Sequence, residues 1–404
     1  MNKAVRFKLF LMMVLEFVIW GAWLPLIFSY LPTLGFTTWQ QIAILNAFPV
    51  AALTAMFFSN QFADRNFAAE RFLAFSQLVG GVAMLLLTFT TSFWPFFLLM
   101  LVHCLLYVPT LSIVNSIAFA NLKDSKDFGL IRMGGTIGWV LAAWPLYFVL
   151  KGATSTSARW TYMVSGVASL ALAAVSLGLP HTPPKKAATA EDKLAWLEAG
   201  RLLAKPFVFV LWIVTLVDAF VLNAYFNWAG SFLGSPAVGI KQENIMPIMS
   251  IGQVAEILTM AILGVTLKRL GWRWTMMLGI FGHVVRFTVF ALFPHETWLV
   301  ILVFILHGIC YAFFFATVYI FVDEYFPKDV RASAQGLFNV VILGLGVIAA
   351  NTICPLMNGH YAVNGTPDFR TMFLIAAGVA LAATVVLGLF FHPPKLATPE
   401  TVKH

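Results

Sequence analysis

The chain has 404 residues, 60% of them hydrophobic and only 10% charged, with 25 basic and 17 acidic side chains, a net charge of +8 and a mean hydropathy of +0.87. Soluble domains carry roughly 25% charged residues, so a fully water-facing coat is excluded. The basic excess is spread between apolar runs and not gathered into the stripe a nucleic-acid binder needs. Cys104, Cys310 and Cys354 stand singly inside apolar runs, a spacing that gives neither a disulfide framework nor a metal site.

In chain order, the basic opening MNKAVRFK leads into an apolar stretch that lacks a small-residue cleavage site and is long enough to span a bilayer. It reads as the first transmembrane helix and not as a removed signal. Apolar runs of about 20 residues, enough to cross about 30 Å of hydrocarbon, then recur. Twelve begin near Lys8, Trp39, Arg71, Phe93, Gly129, Arg159, Pro206, Ile245, Trp272, Thr297, Val330 and Phe369. One long polar stretch interrupts them, HTPPKKAATAEDKLAWLEAGRLLAKP from His181 to Pro206. Its part AEDKLAWLEAGRLLA has the pattern of a short amphipathic helix lying on the membrane surface. The expected fold is an all-α membrane protein of twelve transmembrane helices. They form two six-helix bundles, residues 1–180 and 206–404 (the second with a short cytoplasmic tail), joined by a cytoplasmic linker at 181–205.

Orientation follows from the basic residues. With the N-terminus inside, the cytoplasmic segments hold Lys3, Arg6, Lys8, Arg65, Arg71, Lys123, Lys126, Lys185, Lys186, Lys193, Arg201, Lys205, Lys268, Arg269, Arg273, Lys328, Arg331, Lys395 and Lys403. Only Lys151, Arg159, Lys241 and Arg370 fall on the other side, so both termini are expected in the cytoplasm. The halves echo each other about 200 residues apart: LGLPHTPPKK (Leu177 to Lys186) against LGLFFHPPKL (Leu387 to Leu396), and IRMGGTIG against VRASAQGL. NQFADRNF and GVTLKRLGWR correspond in position. Six plus six spans around a central cytoplasmic loop resembles the major facilitator superfamily, whose halves rock about a site near the midplane. Its loop signature is degenerate here, with Asp64–Arg65 present but Asn60 in place of the first Gly.

Of the acidic residues, only Glu16, Asp218 and Glu256 sit well within apolar spans. Arg132, Arg286, His103, His283, His307, Asn115, Asn223, Asn227 and Gln253 accompany them. Lipid cannot solvate a charge, so such groups face a cavity or a partner. Helical spacing puts Glu16, Trp20 and Trp23 on one face of the first span, and Arg132, Thr136 and Trp139 on one face of the fifth. Asn223 and Asn227 share a face of the seventh, with Tyr225 and Phe226 between them in sequence. Gln253 and Glu256 pair on the eighth, and His307 and Tyr311 on the tenth. Aromatic rings, amides and a carboxylate together suit a ligand with a flat ring and vicinal hydroxyls; a nucleoside fits, and so does a sugar. Interhelical hydrogen bonding accounts for single Asn, Gln and His residues equally well.

Five separated stretches carry a closer resemblance: EFVIWGAWLPL (16–26), YVPTLSIVNSIAFANLKD (107–124), IRMGGTIGW (131–139), IMSIGQVAEI (248–257) and VRASAQGLF (330–338). Together they resemble the nucleoside:proton symporter family of the major facilitator superfamily. That resemblance implies import of nucleosides such as uridine with a proton, through a pocket between the halves. It also implies substrate contacts from Arg132, Thr136 and Trp139, from Gln253 and Glu256, and, on a less well matched patch, from Asn223, Tyr225 and Asn227; His307 and Tyr311 complete the candidate set. Where the family carries an acid on the tenth span, Ala312 stands in HGICYAFFF, so coupling is expected to rest on Glu16, Asp218 or Glu256. The working assignment gives Glu256 to the ribose and the proton to Glu16 or Asp218. A carboxyl group in a water-poor cavity exchanges protons in the physiological range.

The expected partners are a nucleoside, protons and the lipid bilayer, with no nucleic acid and no cofactor, for a monomer in the bacterial inner membrane. A proton-coupled sugar or polyol transporter remains the alternative. A drug:proton antiporter is disfavoured because Gly134, Gly135 and Gly138 lack an accompanying Gly-Pro pair. A membrane enzyme would need a nucleophile beside a base, or clustered metal ligands, whereas His103, His283 and His307 fall on separate spans.

Overall fold

The computed structural model describes residues 3–55, 67–122, 128–152, 154–184, 200–327, 330–363 and 365–393. The Asp64–Arg65 motif, most of the proposed surface helix, and Lys123, Lys126, Lys185, Lys186, Lys193, Lys328, Lys395 and Lys403 lie outside them.

The described chain is almost wholly helical. It opens with α1 (Lys3–Tyr30), then α2 (Thr38–Leu45) and α3 (Ala47–Thr54), α4 (Ala69–Leu87), α5 (Phe93–Asn121), α6 (Phe128–Val149) and α7 (Trp160–Ser176). After the central stretch come α8 (Pro206–Leu233), α9 (Gln242–Leu292), α10 (Thr297–Leu302), α11 (Leu306–Cys310), α12 (Thr317–Tyr325), α13 (Arg331–Asn339), α14 (Gly346–His360) and α15 (Phe369–Phe390). Two π-helical turns, Tyr311–Ala316 and Val340–Leu345, join α11 to α12 and α13 to α14. A two-stranded ribbon, Ala362–Val363 with Thr366–Pro367, precedes α15.

Among the described residues, nine helices are long and apolar enough to cross a membrane. Their ends follow local chemistry. Thr37 and Gln40 form a reciprocal capping box at the start of α2, satisfying donors the first turn leaves open. Asp368 caps α15 through the Thr371 amide and hydroxyl, and those hydrogen bonds hold its carboxyl below the usual range. α9 is two helices in series: Gly271, at φ 72°, breaks it where LKRLGWR predicts a boundary. A side chain at that backbone conformation is strained.

Packing separates the helices into two sets. α1 lies along α6 and α7, and α4 between α5 and α7; α9 lies along α11 and α15, and α8 on α14 and α15. The sets meet where α6 touches α9, α1 touches α8, and α2 and α3 touch the segment from Val340 to α14. Hydrogen bonds cross there: Asn46 Nδ2 donates to Thr352 Oγ1 at 3.2 Å, and Asn351 Nδ2 to the Leu45 carbonyl at 2.8 Å. Phe89, Trp94, Phe148, Leu258, Trp298 and Leu389 are among many large apolar side chains left exposed on the outside. In water such an exterior would aggregate; hydrocarbon solvates it.

Candidate functional site

Between the two sets lies a cavity of about 540 Å³, within the range of small-molecule sites. Its aromatic wall starts with Trp20, which stacks on Phe48 at 4.9 Å between ring centres and meets Trp139 edge-on at 5.2 Å. Trp139 in turn lies 6.4 Å from Phe226 of the other set. Gly134, Gly135 and Gly138 let α6 approach α1 closely enough to bring Trp139 to Trp20; a Cβ at Gly138 would lie 2.1 Å from the Val14 carbonyl oxygen.

Arg132, Thr136 and Trp139 line the cavity from α6, and Gln253 and Glu256 face them from α9. Asn223 on α8, His307 on α11 and Tyr311 in the first π-turn complete the expected residues found in the wall. The Arg132 guanidinium rests 4.5 Å above the Phe17 ring centre. Gly135 leaves it that space, since a Cβ there would come within 2.5 Å of Nη1. Arg132 and Glu256 thus border the same cavity from opposite helix sets. The amides divide by role. Asn223 Nδ2 donates to the Ala219 carbonyl and Asn115 Nδ2 to the Leu111 carbonyl, so each keeps its oxygen for an incoming donor. Asn115 Oδ1 and Gln253 Oε1 have no hydrogen-bond partner among the described residues. The wall thus combines stacking rings, hydroxyl-accepting oxygens, a carboxylate and a fixed cation.

Four of the expected residues stand outside it. Glu16 is fully buried and turned away from the cavity into the α1–α4–α5 core, where Oε2 accepts from Gln77 Nε2 at 3.0 Å and Oε1 from Thr110 Oγ1 at 2.7 Å. Phe17, its neighbour, takes the cavity position. Asp218 is fully buried, with His283 Nε2 3.7 Å from Oδ1. Tyr225 is buried under the Arg286 guanidinium, 3.9 Å from the ring centre. Asn227 donates to Asn351 Oδ1 at 3.1 Å and to the Asn223 carbonyl at 3.0 Å, extending the junction between the sets. Ala312 is buried beside Leu263 and Phe313, away from the cavity.

Asn115, Phe48, Phe226, Tyr319 and Asn339, none of them among the expected contacts, also line the cavity. Tyr311, Phe315 and Tyr319 repeat every four residues, a face that spacing alone reveals. Tyr319 donates to Asn339 Oδ1 at 2.5 Å, a partnership between separate helices that spacing does not carry.

Comparison with known proteins places this architecture. A family model described as nucleoside H+ symporter matches residues 1–396. The Escherichia coli (strain K12) protein YegT is 32% identical over 400 residues, covering 95% of this chain and 93% of YegT. The xanthosine permease of the same organism is 29% identical over 423 residues, covering 100% of this chain and 99% of the permease. The crystal structure of the nucleoside transporter NupG superposes with a TM-score of 0.84 at 27% identity, covering 98% of this chain and 100% of that one. A D-xylose-proton symporter shares the fold at 14% identity, with a TM-score of 0.73 and 98% of both chains covered.

Proposed function

The chain belongs to the nucleoside H+ symporter family, and from that membership we propose that it imports nucleosides together with protons by alternating access through the cavity between its helix sets. Like its relatives, it is a multi-pass membrane transporter and not an enzyme. The finer reading has twelve spans, bundles 1–180 and 206–404 joined by the linker 181–205, both termini in the cytoplasm of a bacterial inner membrane, and a monomer embedded in lipid. The observation that carries the function is a meeting across one cavity: Arg132, Thr136 and Trp139 from one set oppose Gln253 and Glu256 from the other. A ligand bridging them couples the positions of the two bundles, which rocking requires.

The roles divide by chemistry. Trp20, Trp139 and Phe226 offer faces for the base. Gln253 and Glu256 accept from vicinal ribose hydroxyls, with Asn223, Thr136 and Tyr311 around them. The proton is assigned to Glu256, because Glu16 and Asp218 are enclosed by their own helix sets while Glu256 borders the cavity. The Asn46–Thr352 and Asn351–Leu45 hydrogen bonds form a latch that must part when the bundles separate at that end, with Asn227 holding Asn351 from within its own set.

Titrating the purified protein with nucleosides, free bases and sugars tests the function. Nucleosides are expected to bind and sugars to fail; saturable xylose or glucose binding without uridine binding would favour the sugar reading. The proton assignment predicts that Glu16→Gln vesicles keep uridine uptake driven by a pH gradient. Loss of gradient dependence in that variant, with exchange intact, would return the proton to Glu16.

A further inference from the structure

One buried cluster has no part in the roles just assigned. Asp218 on α8, His283 and Arg286 on α9 and His307 on α11 are each at most 3% exposed, and they form a chain that ends at the cavity. Arg286 Nη2 lies 2.8 Å from His283 Nδ1, and Arg286 Nη1 lies 3.4 Å from His307 Nδ1. On the other side of His283, Nε2 faces Asp218 Oδ1 at 3.7 Å.

A guanidinium donates hydrogen bonds and accepts none. Each ring nitrogen that faces it therefore presents a lone pair, and each neutral imidazole keeps its hydrogen on Nε2. In His283 that nitrogen lies 3.7 Å from Asp218 Oδ1, so an acid stands on the far side of the ring from Arg286. In His307 the N–H belongs to a ring that forms part of the cavity wall. Arg286 is held over Tyr225, so it stays behind the wall, oriented by that ring and by the two histidines.

His307 stands beside the aromatic row proposed for the base. Its ring meets Phe226 edge-on at 5.7 Å, and Phe226 continues through Trp139 to Trp20. Gly252 gives His307 room beside α9, since a Cβ there would stand 2.8 Å from the His307 Cβ. Unlike the neighbouring amides, a histidine held in one tautomer with its Nδ1 on Arg286 offers a donor and no acceptor. Asn115 and Asn223 offer oxygens, and Gln253 carries both a donor and an acceptor.

We infer that Arg286, anchored by Asp218 through His283, fixes His307 as a one-way N–H donor, and that this donor selects nucleosides whose base carries a carbonyl oxygen. The inference rests on the nucleoside reading above. Uridine and inosine present such an oxygen; at the corresponding edge adenosine presents an amino group, a second donor that would face the His307 N–H. His307 is then the specificity residue, and Arg286, His283 and Asp218 are positioning residues.

The test uses the purified full-length protein titrated with uridine, inosine and adenosine. Wild type is expected to prefer both carbonyl-bearing nucleosides over adenosine by about tenfold. His307→Gln, whose amide can turn either way, is expected to shrink that ratio by about three- to tenfold while nucleosides still bind. The paired Asp218→Asn, Arg286→Gln variant leaves no lone charge and frees the His307 tautomer, so its ratio falls toward that of His307→Gln. Spectra of [15N]histidine-labelled protein read the tautomer directly: the signal that His307→Gln removes should report hydrogen on Nε2 in wild type and a tautomer mixture in the paired variant. A wild type that prefers adenosine, an unchanged ratio in His307→Gln, or hydrogen on Nδ1 would each overturn the assignment while leaving nucleoside transport standing. A protein that binds none of the three removes the nucleoside reading, and this inference with it.

Discussion

Glu256→Gln is expected to abolish gradient-driven accumulation of uridine while sparing exchange of labelled for unlabelled uridine across the same vesicles. At one proton per nucleoside, a gradient of one pH unit sustains about tenfold accumulation, because it supplies about 1.4 kcal/mol. A glutamine cannot take up and release the proton that links the two flows, so the accumulation ratio should fall to about one. Binding should weaken less: the amide still accepts from one ribose hydroxyl, and losing a charged acceptor at one contact costs about 1.5–3 kcal/mol. The variant therefore separates two jobs proposed for one side chain. Retained accumulation would move the proton site elsewhere. Loss of exchange together with accumulation, with uridine binding no longer measurable, would leave Glu256 with binding alone.

Position explains why Glu256 and not Glu16 is the residue to test. Both are acids in apolar helices, and the sequence treats them alike. Glu16 shares the i, i+4, i+7 face of Trp20 and Trp23, and spacing alone makes that face a single unit. In the folded chain the face divides. Gln77 and Thr110, 61 and 94 residues away, draw the carboxylate toward α4 and α5, while Trp20 turns to the cavity. No periodicity within one helix encodes that choice, because it is made by polar partners on other helices.

Where one helix face decides the outcome, the sequence was informative. Arg132, Thr136 and Trp139 recur on one side of α6 and line the cavity together, as Gln253 and Glu256 do on α9. The helical class, the nucleoside H+ symporter family and the break near Gly271 were likewise legible. The π-turn at Tyr311–Ala316 was not, although the four-residue repeat of Tyr311, Phe315 and Tyr319 runs through it. Ala312, next in sequence to Tyr311, lies off that face and packs against Leu263, while Tyr311, Phe315 and Tyr319 stand in the wall. Tyr225 stands outside the wall for another reason. An aromatic beside two asparagines resembles a ligand-stacking residue, but a cation on a distant helix occupies its face.

That cation carries the largest expected effect on stability. Arg286→Met should destabilise the protein by about 3–5 kcal/mol, the usual cost of stripping the partner from a buried charge. Neither Asp218 oxygen has a hydrogen bond among the described residues, and His283 stands between Asp218 and Arg286. Removing the guanidinium also withdraws the donors that orient His283 and His307. Adding Asp218→Asn to Arg286→Met should recover most of the loss, because an amide in that pocket carries no charge to balance. A thermal or denaturant unfolding series of wild type, both single variants and the double variant in detergent measures this coupling. Additive losses in that cycle would mean that Asp218 and Arg286 are buried independently, and the chain from Asp218 to the cavity would lose its electrostatic anchor. Recovery in the double variant instead requires that the two charges hold each other, and Arg286 is then kept in place by a residue that no substrate touches.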